Sequence, residues 1–197
     1  MKTDLILASA SPRRRELLGA LGISFEVATV EMPELDATTS PHLSPVELAC
    51  ENAQRKARAV AQTGRGAGRW VLGADTVVAL DGRLFGKPAS LDEARAFLQA
   101  LSGHTHEVIT GCALIAPDGA EEIFHGVTQV TFRALTPEVI DRYLTEVKVL
   151  DKAGAYALQE RGEWIIERVE GSSTNVVGLP TEQLERILKK HGLLHSL

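Results

Sequence analysis

The sequence predicts an α/β fold built on a mixed sheet. Short apolar runs of strand length alternate along the chain with capped, amphipathic segments joined by short connections. Two turn signals, Asp81-Gly82 and Pro117-Asp118-Gly119, each sit between two strand-like runs and mark antiparallel pairs within that alternation. The chain of 197 residues, 44% of them hydrophobic, is long enough to bury a sizeable core and matches the size of one generous domain. With no internal repeat, low-complexity stretch or long linker, residues 1–197 read as a single domain.

The elements follow in order. Residues 5–8 form a short apolar run that reads as a buried strand. Ser11-Pro12 opens a helix, with serine as N-cap and proline at the first helical position, and Gly22 ends it. Residues 24–30 alternate as a second strand, whereas the acidic stretch 31–43 holds two prolines, shows no period and reads as loop. Ser44-Pro45-Val46-Glu47 is a capping box for a helix running to about Gln62. Residues 70–80 are strand-like and turn through Asp81-Gly82 into 83–85. Ser90 to Glu93 is a second capping box, for a helix ending before Gly103. Residues 107–115 and 123–132 form the second antiparallel pair, and Thr136-Pro137 starts another helix. Residues 156–158 and 164–169 read as short strands, and the last helix begins near Pro180-Thr181 and ends by Gly192.

Composition excludes several function classes. Twenty-one basic against 26 acidic residues give a net charge of −5, which makes a poor general binder of nucleic acid while leaving room for a local basic pocket. No apolar run approaches the roughly 18 residues that span a bilayer, so no membrane partner is expected. Residues 5–10 faintly imitate a signal peptide, but Asp4 interrupts them and the run is short. Two cysteines, Cys50 and Cys112, are too few for a disulfide framework and suit a reducing cytoplasm.

Chemistry concentrates where residues oppose their local setting. Arg13, Arg14 and Arg15 occupy the opening turn of a helix, against its macrodipole, at roughly 0.3–1 kcal/mol each. An anion bound by the free amides, Ser9, Ser11 and the guanidinium forks would reverse that sign; the alternative is a solvated basic face, with Glu16 nearby. Asp75 interrupts the apolar run 71–80, where a buried carboxylate requires partners. It reads as a metal ligand or a general base, and otherwise as a turn cap, while Thr76 faces the other side of a regular strand. Lys56 falls on the apolar stripe of Val46, Ala49, Ala53 and Val60, either snorkelling or reaching into a phosphate site.

The segment Gly82 to Pro88 superficially resembles a phosphate loop, but its glycine spacing is one short and Pro88 replaces the hydroxyl that would hold magnesium. It still holds Lys87 on a stiff turn between Gly86 and Pro88. His104 and His106 would share a strand face, yet zinc requires three or four ligands. Glu31, Glu34 and Asp36 form a solvated acidic loop by default; with Asp75 they would offer the oxygen ligands that magnesium or manganese prefers.

Together these segments resemble the Maf family of nucleoside triphosphate pyrophosphatases. The matching motifs run from Leu7-Ala8-Ser9-Ala10-Ser11-Pro12-Arg13-Arg14-Arg15 through Glu34, Lys56-Ala57, Gly73-Ala74-Asp75-Thr76, Gly86-Lys87-Pro88 and Leu101 to His106. They end with Tyr156-Ala157-Leu158-Gln159 and Asn175 to Pro180. The resemblance implies an inosine triphosphatase-like fold, an elongated, curved mixed sheet flanked by helices, in proteins that often form homodimers. It also implies metal-dependent cleavage of a nucleoside triphosphate into its monophosphate and pyrophosphate, with Mg2+ or Mn2+ as the divalent cation. Such an enzyme clears nucleotides, modified ones included, before they enter nucleic acids.

Carried over by resemblance, Asp75 is the proton acceptor. Ser9, Arg13, Arg14, Lys56 and Lys87 bind phosphate, and Glu34 with Asp75 holds the metal. The family divides by base at the positions of Arg13, Thr76 and Gln159. This chain has the set of its dTTP/UTP-type members, whereas relatives acting on 7-methyl-GTP carry an aromatic residue, Gln and Glu there. Glu160 stands where many relatives have glycine, and Ser173-Thr174 replaces a more aromatic stretch. Maf proteins have also been associated with septum inhibition, so the alternatives are a nucleotide-sensing cell-division regulator without significant catalysis, or the same reaction on another base such as 7-methyl-GTP.

Overall fold

The computed structural model of the protein describes residues 4–194. Strand β1 (Leu5–Leu7) runs parallel to both its neighbours, β2 (Phe25–Val27) and β3 (Trp70–Leu80). Strand β4 (Arg83–Phe85) folds back antiparallel on β3, with Val78 opposite Phe85. The Asp81-Gly82 pair between them adopts positive φ at both residues, 50° and 79°, as a two-residue hairpin turn demands. Strands β5 (Thr105–Ile115), β6 (Glu121–Phe132) and β7 (Ile166–Glu170) complete a mixed seven-stranded sheet of order β2-β1-β3-β5-β6-β7, with β4 attached to β3. The helices are α1 (Pro12–Ala20), α2 (Pro45–Ala61), α3 (Leu91–Leu101), α4 (Pro137–Glu146), α5 (Gly162–Ile165), α6 (Ser173–Val177) and α7 (Thr181–Lys190). Among the described residues, no helix is long and apolar enough to cross a membrane.

By internal contacts the chain divides into two compact units. The first comprises the residues through Asp75, Thr110–Gly126 and those from Gly178; the second comprises Thr76–Ile109 and Val127–Val177.

In the first unit the period-two alternation of the strands sorts side chains between two layers. Leu5, Leu7, Leu72, Cys112 and Leu114 pack with Leu18 of α1 and Leu184 and Leu188 of α7. Ile6, Val71, Ala113 and Ile115 pack with Ala53, Ala57 and Val60 of α2. Helix α2 begins at the expected capping box: Ser44 Oγ accepts the Glu47 N–H at 3.3 Å, and Glu47 Oε2 accepts the Ser44 N–H at 2.8 Å. Small residues let it lie close. A Cβ on Gly73 would stand 2.2 Å from the Ala53 carbonyl oxygen, and one on Gly111 would stand 2.4 Å from the backbone of Ala49 and Cys50.

The second unit is built around Phe85, Phe97, Leu98, Phe132, Tyr143 and Tyr156. Asn175, fully buried on α6, donates through Nδ2 to the Val108 carbonyl (2.9 Å) and to Thr128 Oγ1 (3.0 Å), tying β5 to β6.

Four local expectations are corrected. Residues 156–158 are not a strand: Gly154 and Ala155 turn the chain at positive φ (71° and 59°), and the Ala157 N–H goes to the Tyr143 hydroxyl at 3.0 Å instead of to a ladder. Trp164 lies in α5, with Arg142 stacked 4.0 Å from its ring centre, and the strand starts two residues later. The Ser90 cap accepts the Glu93 N–H, but the Glu93 carboxylate takes the N–H of Ala89, so the reciprocal half shifts by one residue. His104 and His106 do not share a strand face. His104 precedes β5, exposed, with its Nδ1 2.7 Å from the Ser102 carbonyl oxygen, whereas His106 is buried 2.8 Å from the Tyr156 hydroxyl.

Candidate active site

Strand β1 delivers the first group. Beyond Leu7 the chain turns through Ser9 to Ser11, whose Oγ accepts the Arg14 N–H at 3.4 Å as the N-cap of α1. Ser9 Oγ accepts both the Ser11 N–H (3.3 Å) and Arg14 Nη1–H (3.2 Å), and Arg14 Nε–H donates to the Gly178 carbonyl at 2.8 Å. The guanidinium is thereby folded back over the helix start. Burial disfavours the Arg14 cation and lowers its pKa from the ordinary 12.5, while the negative charges of Asp75 and Glu34 act in the opposite direction. Arg13, half-buried on the same turn, adds a like charge that lowers it further. The basic helix start and Asp75 therefore belong to one electrostatic neighbourhood. The nearby Cys112 thiol stays neutral, because burial pushes its pKa up to about 12 against the influence of Arg14.

Helix α2 and β3 deliver the second group. Gly73 admits the helix to the face from which, two residues on, the Asp75 side chain leaves the strand. Lys56 Nζ stands 2.6 Å from Asp75 Oδ1 and 2.6 Å from Glu34 Oε1, a single ammonium between two carboxylates. The Asp75 side chain is only 8% exposed and that of Lys56 16%, whereas Glu34 is 40% exposed and opens the group to solvent. A carboxylate this buried is tolerable because the cation and an amide compensate it.

Asn52 is the residue of this cluster that sequence reasoning missed. One turn before Lys56 on the buried face of α2, its Nδ2 donates to Asp75 Oδ2 at 3.3 Å and to the Leu35 carbonyl at 2.9 Å. Its Oδ1 accepts the Leu35 N–H at 2.8 Å. One amide thus clamps the irregular loop beside Glu34 and orients the carboxylate of Asp75. The available signal was an amide four residues from a lysine on an apolar helix face.

Of the predicted residues, Ser9, Arg13, Arg14, Glu34, Lys56 and Asp75 lie in the first unit. Hydrogen bonds, ion pairs or electrostatic interactions join all six there. Asp36 does not join them: its Oδ1 accepts the N–H groups of Thr38 (2.8 Å) and Thr39 (2.7 Å) and caps its own turn. Thr76, Lys87 and Gln159 lie in the second unit. Thr76 follows Asp75 on β3 and is half-buried. Lys87 is exposed after β4, on a turn whose Gly86 carbonyl accepts the Gly154 N–H at 3.1 Å. Exposed Gln159 follows Gly154 by five residues, on a loop anchored through Ala157 to Tyr143 of α4.

Among the described residues, no three or more His, Cys, Asp or Glu side chains cluster as a protein-only metal cage. Glu34 and Asp75 nevertheless fit Mg2+ or Mn2+. Such ions are commonly held by one or two carboxylates together with substrate phosphates, and these two carboxylates already converge on one cation.

Residues 4–191 match the Maf-like protein family. The chain is 47% identical over 192 residues to the dTTP/UTP pyrophosphatase of Moorella thermoacetica, covering 97% of this chain and 96% of that protein. To the dTTP/UTP pyrophosphatase of Nitratidesulfovibrio vulgaris it is 44% identical over 193 residues, covering 97% and 89%. Its backbone resembles the solved Staphylococcus aureus Ham1 protein with a TM-score of 0.52 at 14% identity, covering 95% of this chain and 98% of that one, a likeness of fold alone. On the family match and these near full-length identities, the chain belongs to the Maf family.

Proposed function

We propose that this protein is a nucleoside triphosphate pyrophosphatase that hydrolyses dTTP and UTP to the nucleoside monophosphate and pyrophosphate. The observation that carries the reading is the buried Asp75 carboxylate, held by Lys56 and Asn52 in the same electrostatic neighbourhood as Arg14. Relatives named dTTP/UTP pyrophosphatase, at 43–47% identity, support the substrate pair.

In this reading the polyphosphate is bound by Ser9, Arg13, Arg14, Lys56 and Lys87, whose charges offset the roughly four negative charges of a triphosphate. The oxygen of a water attacks the α-phosphorus, and Asp75 accepts its proton. The bond from the α-phosphorus to the bridging oxygen breaks, and pyrophosphate leaves with the electron pair. A divalent cation held by Glu34 and Asp75 would supply Lewis-acid neutralisation of the developing charge. Asn52 keeps Asp75 oriented throughout. Arg13, Thr76 and Gln159 set the base preference. The Gln159 amide offers one donor and one acceptor to the O4 and N3–H edge of uracil or thymine, and a mismatched base would leave such groups unpaired. Both thiols are free, which suits a reducing cytoplasm.

The test is a panel of standard and modified nucleoside triphosphates, assayed with Mg2+ or Mn2+ for pyrophosphate release. Preferential turnover of dTTP and UTP is expected. Nucleotide binding without turnover of any triphosphate would contradict the reading and favour a sensing role.

A further inference from the structure

We infer that the Lys56 ammonium is a place-holder for the divalent cation: it stands between Glu34 and Asp75 and leaves when polyphosphate arrives. The metal would then enter with the substrate and not before it. The inference rests on the pyrophosphatase reading above.

The geometry supplies the argument. Lys56 Nζ satisfies both carboxylates at once, at 2.6 Å from each. With Asp75 almost fully buried, a cation must stand beside it for the charge to persist, and Lys56 is that cation. A divalent ion would compensate two carboxylates more fully than one ammonium, but it must shed water and displace the lysine first.

Which member of the group moves follows from how each is held. Asn52 bonds both the N–H and the carbonyl of Leu35, fixing the loop beside Glu34, and also donates to Asp75. Arg14 is tied to Ser9 and to the Gly178 carbonyl. Lys56 alone reaches the group on a flexible four-carbon stem whose ammonium can exchange one anionic partner for another. A triphosphate offers that alternative partner. Its arrival would draw the ammonium towards phosphate oxygens and free two convergent carboxylates for the metal that the phosphates bring with them.

The experiment titrates the full-length protein with Mn2+ alone, without nucleotide, and follows free Mn2+ by electron paramagnetic resonance. Lys56→Met and Lys56→Gln are expected to bind Mn2+ about tenfold tighter than the wild type, because removing the ammonium vacates the position and lifts its repulsion. Arg58→Gln removes the same charge two residues further along α2, where the arginine pairs with Glu121, and should leave the affinity as it was. Adding Glu34→Gln to Lys56→Met should abolish the gain.

Equal Mn2+ affinity in folded Lys56 variants and the wild type would overturn the inference, as would an equal gain in Arg58→Gln. Should the Lys56 variants fold only with Mn2+ present, the ion is replacing the ammonium and the inference stands. Failure to fold even with Mn2+ counts against it. The titration involves no turnover, so inactivity on every triphosphate would defeat the pyrophosphatase reading without altering this result.

Discussion

Lys56 and Asp75, nineteen residues apart in sequence, meet at 2.6 Å across the packing of α2 on β3. Their contact depends on a second one two residues earlier on the strand, where Gly73 lets the Ala53 carbonyl approach the sheet. Packing and chemistry are therefore coupled: whatever moves α2 also moves the cation off the carboxylate.

Gly73→Ala tests that coupling. The added methyl would stand 2.2 Å from the Ala53 carbonyl oxygen and 3.0 Å from the Ala57 backbone nitrogen and Cβ, so the helix must shift. We expect a loss of about 3 kcal/mol in urea unfolding, together with reduced turnover even where the variant remains folded. Wild-type stability in this variant would show that α2 lies further from the sheet than described.

Asn52→Ala removes an amide that makes three hydrogen bonds and leaves the Leu35 N–H and carbonyl without it. A destabilisation of about 1–3 kcal/mol should appear in thermal unfolding. Because Asp75 also loses a donor that orients it, kcat should fall by about tenfold, more than KM changes. A purely structural amide would lower stability and leave kcat of the folded protein intact.

The fold was legible where local physics decides. The Ser44 capping box, the Pro12 helix start and the Asp81-Gly82 turn all form where their residue chemistry places them, because each is closed by bonds within four residues. The contradictions that pointed to chemistry were legible too: a carboxylate in an apolar strand and a lysine on an apolar helix stripe turn out to be partners. Asn52 was not legible, because its second partner, Leu35, lies 17 residues away on a loop with no period. Residues 156–158 misled for a similar reason. Their apolar run imitates a strand, but the Ala157 N–H is claimed by Tyr143, fourteen residues back, and no periodicity encodes that bond.

That bond carries its own expectation. The Tyr143 hydroxyl accepts from Ala157 and lies 3.4 Å from the Ala157 and Glu160 carbonyl oxygens, so it braces the loop that bears Gln159. Tyr143→Phe should lower stability by about 1–2 kcal/mol through the unpaired Ala157 amide. If Gln159 reads the base, KM for dTTP should rise while kcat holds. Unchanged KM in a destabilised variant would reduce Tyr143 to a packing residue.

A pH dependence follows from His106. Burial lowers its pKa from the ordinary 6.5 to about 4, so the folded protein keeps the ring neutral while the unfolded chain takes up a proton. Stability should be full above pH 6.5 and should fall as the pH drops towards 4, by on the order of 3 kcal/mol for this group. Denaturant unfolding at several pH values should show a shallower decline in His106→Phe than in the wild type. Equal slopes would remove His106 as the source.

The central claim, that the Asp75 carboxylate takes the proton of the attacking water, is tested most directly by Asp75→Asn. This variant keeps the side-chain shape while abolishing the proton acceptor. Pyrophosphate release from dTTP, measured beside nucleotide binding and a folding check, should drop by at least about a hundredfold while the protein stays folded and still binds the nucleotide. Turnover at the wild-type rate in that folded variant would contradict the account.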